Sequence, residues 1–496
     1  MTAATEYQLI ASVTDLRDRV RAHIEDSDAR LADLFGTDRD GGVLITAQLA
    51  GRDGMTTMDT LLPAGQSSYP ALTPLVGSAF WYEREIHDMF GVIPEGHPRL
   101  EPLVLPAEGP DLPRPGGDGG PARIEPDPQA LPRHTVGPGL FTIPHGPVRS
   151  GVTESIEYLV ETPGEDIPHL NMRLFYKHRG IEKRFEYLRP ADGVLLAERA
   201  EGVASVAHAI AFCQAMELIA GAEVPWRAAL IRTLHAELER VACHLDVIVR
   251  LADGAGLAVA TARFGWHKER LLRLTGQLSG SRFGRGVLAL GGVTAAPRLE
   301  PSQILGAAGE LDRQIGADVR LLMGTASFLD RLRRTGPLPP GRAAQHGALG
   351  PVGRASGRVE DVRRSRPYAA YGSLGTTTSS RDDGDALARL EVRVDEIGSS
   401  FHLIRQAADE LDEAGSGPLR TDCVVADGRA TSWAEAPQGE VLYDVRIASG
   451  RITRCRSRSA SFHNLVLMHE VFAGDILTDF PFIEASFGLS VAGAAG

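Results

Sequence analysis

The stretch LAERAEGVASVAHAIAFC, residues 196–213, is dominated by small apolar residues, yet it sets Glu201 between Ala200 and Gly202. A second run, FYKHRGIEKRFE at 175–186, gathers His178, Arg179 and Glu182 around Gly180, which permits a tight backbone turn into a helix. Buried acids close together raise one another's pKa and can relay protons, whereas an acid beside an arginine stays ionised and holds structure. For Glu201 three roles stay open on these grounds: proton handling, partnership with an arginine, and a surface position. The charges of 175–186 equally suit a helix start with i,i+4 pairing. His178 and His244 read as satisfied core histidines, and Cys213 and Cys243 as small buried hydrophobes.

Composition narrows the setting. The chain has 496 residues, 43% of them hydrophobic, enough for two or three domains. A net charge of −12 without an isolated basic run argues against nucleic acid as a partner. Four scattered cysteines make neither a disulfide framework nor a CxxC metal pair, which suits a cytoplasmic protein. The N-terminal MTAATEYQLI lacks a signal pattern, and no apolar run approaches the roughly 20 residues of a spanning helix. Membrane contact is therefore expected through partners only.

The elements that must hold these residues follow from periodicity. In TDLRDRVRAHIEDSDARLADLF, apolar Leu16, Val20, Ile24, Leu31 and Leu34 form one helical stripe, and GVLITAQLAG reads as a strand. A second helix is expected over 71–90. It contains WYEREIHDM, whose charges suit the solvated face of an amphipathic helix. Between Pro106 and Pro138 the density of Pro and Gly reads as a linker. Beyond it, SIEYLVETPGEDI alternates like a half-buried strand. Pro225 opens a helix through Leu230, Leu234, Leu238, Val241, Leu245 and Ile248, closed by Gly254 and Gly256. The same rhythm recurs from Ile304 to Leu329 and from Leu390 to Leu411, which together describe a bundle. Near the end, GEVLYDVRIASGRITRCRSRSA reads as a hairpin turning at 448–450. The predicted fold class is α+β: a small α+β domain at 1–105, a linker at 106–139, and a mainly helical bundle with small peripheral sheets at 140–496.

Several segments carry a resemblance. E-R-E-x-x-D-M-F-G followed by G-H-P, within residues 70–100, resembles the C-type subunit of NADH-quinone oxidoreductase, where it belongs to a docking domain. HRGIEK at 178–183 is similar to the motif of the D-type subunit of the same complex. That motif also occurs in the large subunit of membrane-bound nickel-iron hydrogenases, the formate hydrogenlyase type included. Gly146-Pro147, ELERVACHLD at 237–246, Asp253-Gly254, GGV at 291–293, GPVGRASG at 350–357, DVRRSRPYAAY at 361–371, GDALARLEVRVDEI at 384–397 and DFPFIEAS at 479–486 extend it over most of 140–490. The whole is similar to a fusion of the C and D types.

The hydrogenase branch binds nickel and iron through two CxxC pairs, and the resemblance places those thiolates at Glu201, Ala204, Ser490 and Gly493. None of these supplies sulfur, so the resemblance implies no nickel-iron site and no metal ligand set here. In the quinone branch an aspartate and a tyrosine fall on Glu201 and Gly202, and the quinone-contacting histidine falls on Thr153, so the acid persists while the two head-group contacts are lost. Candidate site residues are therefore Glu182, which resembles the hydrogenase proton-relay glutamate, with Glu201, Asp253, His178, Arg354 and Arg363. The chain has no GxGxxG after a strand, no P-loop and no cysteine cluster, so no cofactor is expected on it. The resemblance implies a [4Fe-4S] cluster in a small B-type partner protein, a ferredoxin-like partner, antiporter-like and H-type membrane proteins, NAD only through another chain, and possible use of quinone. The implied function is a large-subunit-like component of a complex I-like or formate hydrogenlyase-like oxidoreductase, peripheral on the cytoplasmic face of the membrane. The alternative is a structural or coupling component that keeps only fold and interfaces.

Overall fold

A computed structural model describes residues 4–52, 54–106, 114–117, 139–149 and 154–496. The expected linker at 106–139 falls largely outside them, and Thr153 lies outside them too.

The chain opens with β1 (Ala4–Leu9), α1 (Val13–Ser27), β2 (Arg30–Arg39), β3 (Gly42–Ala50) and β4 (Gly54–Leu62), the strands ordered β1-β4-β3-β2. Ser12 caps α1 by accepting the Asp15 N–H at 3.2 Å, and Val13, Leu16 and Val20 are buried. The single helical stripe expected through Leu34 is corrected here. Asp28 takes a left-handed conformation that ends the helix, and Leu31 and Leu34 enter β2 opposite Leu49 and Ala47. Pairing with the apolar strand beside them outweighs the helical spacing. Short β5 (Ser68–Pro70) lies parallel to β6 (Ile93–Glu95), and between them α2 spans only Phe80–Phe90. Residues 71–76 are held instead as a turn, because the Glu83 carboxylate accepts the Leu72 and Thr73 N–H groups at 2.7 and 3.0 Å. The charged face of α2 is also not solvated: Glu83, Arg84 and Asp88 are all buried. Arg84 donates to the Glu101 carbonyl at 2.7 Å, and Asp88 accepts from Leu103 and Val104, so backbone groups satisfy the charges that water was expected to meet.

A three-stranded sheet, β7 (Phe141–His145), β8 (Glu157–Thr162) and β9 (His169–Arg173), leads into short helices α3 (Ile181–Phe185) and α4 (Pro190–Ala197) and the buried α5 (Ser205–Ala220). Then comes the bundle. α6 (Trp226–Gly254) packs on α7 (Ala258–Ser279), a small β10 (Leu288–Ala289) and β11 (Gly292–Val293) ladder intervenes, and α8 (Pro301–Met323) packs on α7. The expected continuation to Leu329 breaks at Gly324, and a separate α9 covers Ala326–Leu332. After α10 (Pro340–His346), α11 (Gly350–Arg354) and α12 (Val362–Ser365), α13 (Ala386–Ala414) closes the bundle against α6 and α8. β12 (Gly428–Ala436), β13 (Gly439–Ala448) and β14 (Arg451–Arg458) form an antiparallel sheet that covers α5. The last segments are α14 (Ala460–Leu465), α15 (Phe480–Phe487) and α16 (Val491–Ala495). Among the described residues no helix is long and apolar enough to cross a membrane.

Candidate functional site

Positions 201 and 204 lie in the turn before α5, 490 and 493 at the N-cap and within α16, and the fold brings the two segments together. Ala204 begins that turn's return, its N–H bonding to the Glu201 carbonyl at 3.3 Å. Arg179 clamps the two segments, donating to the Ala492 carbonyl at 2.9 Å on one side and to the Arg199 carbonyl at 3.0 Å on the other. Glu201 itself is 0% exposed. Ser459 and Ser461 donate to its two oxygens at 2.7 and 2.9 Å, and His208 Nε2 stands 3.2 Å from Oε2. The other ring nitrogen of His208 lies 3.0 Å from the Tyr443 hydroxyl. A Cβ built on Gly493 would fall 2.5 Å from Glu201 Oε2, so glycine there leaves the carboxylate its room. Ser490 turns away: its Oγ donates to Glu154 at 2.9 Å, while its N–H donates to Ser461 at 3.0 Å. Glu201 thus sits among hydroxyls and an imidazole, with no arginine in contact among the described residues.

Glu182 has the opposite surroundings. Arg454 and Arg456 approach its carboxylate at 2.7 and 3.1 Å, and the Ser457 N–H donates at 3.2 Å. Burial pushes this carboxyl up, but the two guanidinium groups outweigh it and hold Glu182 below the usual glutamate range. Arg456 also binds Asp33 at 2.9 Å and Glu85 at 2.8 Å, which ties α3 to the N-terminal sheet and α2. His178 directs Nδ1 at the Ala495 carbonyl, 2.7 Å away, and burial lowers its pKa so that the ring is neutral.

Arg354 and Arg363 belong to a third group, between α6, α13 and β12. Arg354 donates to Glu396 at 2.8 Å and Glu435 at 3.0 Å, and Arg363 pairs with Asp361 at 2.7 Å and Glu237 at 3.1 Å. His244 Nε2 meets Glu396 at 2.8 Å while Arg393 donates to its Nδ1 at 3.2 Å, which fixes a neutral tautomer. Burial drives the pKa of His244 down to about 4. Asp253 joins none of these: it is exposed in the last turn of α6 and bonds to no other candidate. Cys213 and Cys243 are buried and free, and burial raises both thiols. The six candidates therefore divide among separate places rather than one catalytic cluster.

His208, Tyr443, Ser459, Ser461 and Glu154 were not anticipated. Only the S-x-S at 459–461, after an arginine-rich strand, offered any local sign; the others are assembled by tertiary contact.

A helical bundle with small flanking sheets, preceded by a small α+β module, defines a large-subunit-like fold of the hydrogenase and respiratory-complex class. The family of the respiratory-chain NADH dehydrogenase 49 Kd subunit matches residues 257–422 and 418–494, and that of the respiratory-chain NADH dehydrogenase 30 Kd subunit matches 9–115. Formate hydrogenlyase subunit 5 of Escherichia coli is 29% identical over 87% of this chain and 77% of its own length. A D-type subunit of the NADH-quinone oxidoreductase of Streptomyces griseus is 30% identical over 69% of this chain and 89% of its own. A chain from the structure of the membrane-bound sulfane sulfur reductase, an archaeal respiratory membrane complex, superposes with a TM-score of 0.68 at 26% identity, covering 72% of this chain and 99% of that one. The chain belongs to the family of the NADH dehydrogenase 49 kDa subunit and the related hydrogenase subunits, with a 30 kDa-type module fused ahead of it.

Proposed function

We propose that this chain is the large-subunit-like component of a membrane-associated oxidoreductase, taking electrons from an iron–sulfur cluster in a small partner protein and passing them to a quinone or another acceptor while buried acids handle protons. It works on the cytoplasmic face, joined to membrane proteins through partners. Its relatives include subunits of a formate hydrogenlyase, an NADH-quinone oxidoreductase and a sulfane sulfur reductase, so the acceptor is the part that varies among them.

One observation carries the reading: Glu201 is wholly buried yet meets serine hydroxyls and His208 instead of an arginine. A carboxyl and an imidazole 3.2 Å apart can share one proton and change its owner when charge arrives nearby, which an arginine-locked acid does not do. Glu, Ala, Ser and Gly at the four converging positions supply no thiolate, a donor set that does not fit nickel and iron, and no step is assigned to such a group. The test is acceptor reduction by the purified complex. Glu201→Gln keeps the size but takes away the carboxylate, and turnover should fall at least tenfold. His208→Gln should do the same. Unchanged turnover in both would remove the proton-handling role.

The rival reading, a structural or coupling component, draws on the arginine lock around Glu182. It expects both Glu201→Gln and His208→Gln complexes to turn over normally, with defects confined to assembly when Glu182 is replaced by Ala.

A further inference from the structure

His208 stands between two groups. Its Nε2 is 3.2 Å from Glu201 Oε2, and its Nδ1 is 3.0 Å from the hydroxyl of Tyr443. All three side chains are sealed from solvent: His208 is 1% exposed, Glu201 and Tyr443 0%. A neutral imidazole carries its hydrogen on one nitrogen, and which one decides what the ring offers Glu201.

Tyr443 comes from the middle of β13, opposite Ser432 of β12 and Ser457 of β14. Ser432 donates to the Ala211 carbonyl at 2.5 Å and so ties this sheet to α5, which brings the phenol to His208. Phe185 and Phe212 meet the Tyr443 ring in T-shaped contacts with centroids 6.2 and 5.9 Å away, and His208 meets it in the same way at 5.7 Å. A hydroxyl in such an apolar setting costs free energy unless it is paired. Its partner among the described residues is His208 Nδ1.

The hydrogen positions follow from the acceptors. Ser459 Oγ accepts the Ser461 N–H at 2.9 Å and Ser461 Oγ accepts the Ser490 N–H at 3.0 Å, so each hydroxyl turns its own hydrogen to the carboxylate. Glu201 is thus an acceptor at both oxygens, and Nε2 matches it as an N–H donor. Nδ1 is then bare and takes its hydrogen bond from the phenol. Burial raises the pKa of Tyr443 well above the ordinary tyrosine value, so the hydroxyl keeps its hydrogen. The opposite arrangement, with the hydrogen on Nδ1, strands the phenol hydrogen among aromatic rings and sets the Nε2 lone pair against the carboxylate.

We propose that Tyr443 is a positioning residue for the Glu201–His208 pair: its O–H, donated to Nδ1, holds His208 in the tautomer whose Nε2–H points at Glu201. The role rests on the proton-handling reading of Glu201 and adds what orients the transfer. A proton that reaches the pair goes to a lone pair of Glu201, or to Nδ1 once the phenol has turned round to accept. In neither case does the tyrosine give up its own hydrogen.

The test is nitrogen NMR of the full-length chain carrying isotopically labelled histidine, in which protonated and bare ring nitrogens resonate far apart. The His208 signals are those lost in His208→Gln. The native chain should show the hydrogen on Nε2 and a bare Nδ1. Tyr443→Phe keeps the ring and its packing, so it should melt close to the native temperature while the tautomer becomes mixed or reversed. In the purified complex the same variant should lower kcat roughly tenfold and leave KM for the acceptor unchanged, a split that a purely structural tyrosine would not produce. A hydrogen on Nδ1 in the native chain overturns the proposal, and that spectrum decides even where the variant does not fold. An unchanged tautomer in Tyr443→Phe, or an unchanged kcat there while Glu201→Gln is impaired, overturns it as well. Normal turnover in both Glu201→Gln and His208→Gln, with the tautomer behaving as stated, would instead remove the proton-handling reading and leave the hold of Tyr443 on the ring standing.

Discussion

Glu237 is fully buried, and four groups converge on its carboxylate: Arg240 at 3.2 Å, Arg363 at 3.1 Å, and the hydroxyls of Tyr371 and Ser400 at 2.5 and 2.6 Å. Burial alone would raise its pKa, but the two arginines and two hydroxyls overturn that and take it down to about 2 from 4.5. Because the folded value is depressed, its stabilisation is fully present above the unfolded pKa and is lost as pH falls from about 4.5 to about 2. At about 1.4 kcal/mol per unit, that is roughly 3 kcal/mol from this residue. Glu237→Gln should therefore flatten the acid limb of a stability–pH curve measured by urea unfolding. At pH 7 it should cost about 3–5 kcal/mol, since Arg240 and Arg363 lose a buried counter-charge. A wild-type acid limb in the variant would refute the assignment. A second contrast belongs to the Glu201 cluster. Gly493→Ala forces a methyl against the Glu201 carboxylate and should destabilise by about 1–3 kcal/mol, whereas Gly202→Ala, facing open space, should change stability little. Equal melting of the two variants would mean the carboxylate is not held where it stands.

Among the elements, the β13–β14 hairpin was legible because its chemistry is local. Ser449 and Gly450 adopt φ of 52° and 70°, a turn that the S-G pair announces. Gly450→Val should cost about 1–2 kcal/mol in equilibrium unfolding, and no loss at all would show the turn to be relaxed elsewhere. α6 and α13 were equally readable, their apolar spacing being long and unbroken. The misread elements have separate causes. Leu31 and Leu34 keep helical spacing with α1, and Leu329 with α8, but a strand partner in one case and Gly324 in the other decide the outcome. The charges of α2 read as solvent-facing because a sequence does not show that the 101–105 backbone folds back over them. The site was legible to the same depth. Glu201 and the HRGIEK run stand out as charges in unusual company, but His208, Tyr443 and the two serines arrive from separate elements with no spacing to betray them. Asp253 was singled out by resemblance alone and remains at the surface.

Over the whole molecule, the alternation in RCRSR of β14 sends Arg454, Arg456 and Arg458 to one face, and that face holds the N-terminal module. Arg454 donates to the Thr37 hydroxyl at 3.1 Å, Arg458 to the Ala32 carbonyl at 3.0 Å, and Arg456 to Asp33 at 2.9 Å. On the flank of this sheet Gln48 donates to Asp444 at 2.9 Å. Trp81 and Tyr82 of α2 pack on Phe462 with ring centroids 5.8 and 5.1 Å apart, so apolar burial is continuous across the junction. A module joined this way unfolds with the body that holds it, and calorimetry of the native chain should show one cooperative transition. Arg456 is where that coupling is most exposed to a single substitution, since it alone balances Asp33, Glu85 and Glu182 together. Arg456→Met keeps the aliphatic bulk but leaves the carboxylates of Asp33 and Glu85 facing one another without it, at a cost of about 3–5 kcal/mol placed at the junction rather than within either part. The transition should then split, the N-terminal module melting first, and Arg456→Lys should restore part of the cooperativity by returning the charge. A single transition in Arg456→Met at the wild-type temperature would show that the apolar contacts of Trp81, Tyr82 and Phe462 hold the module without the arginine.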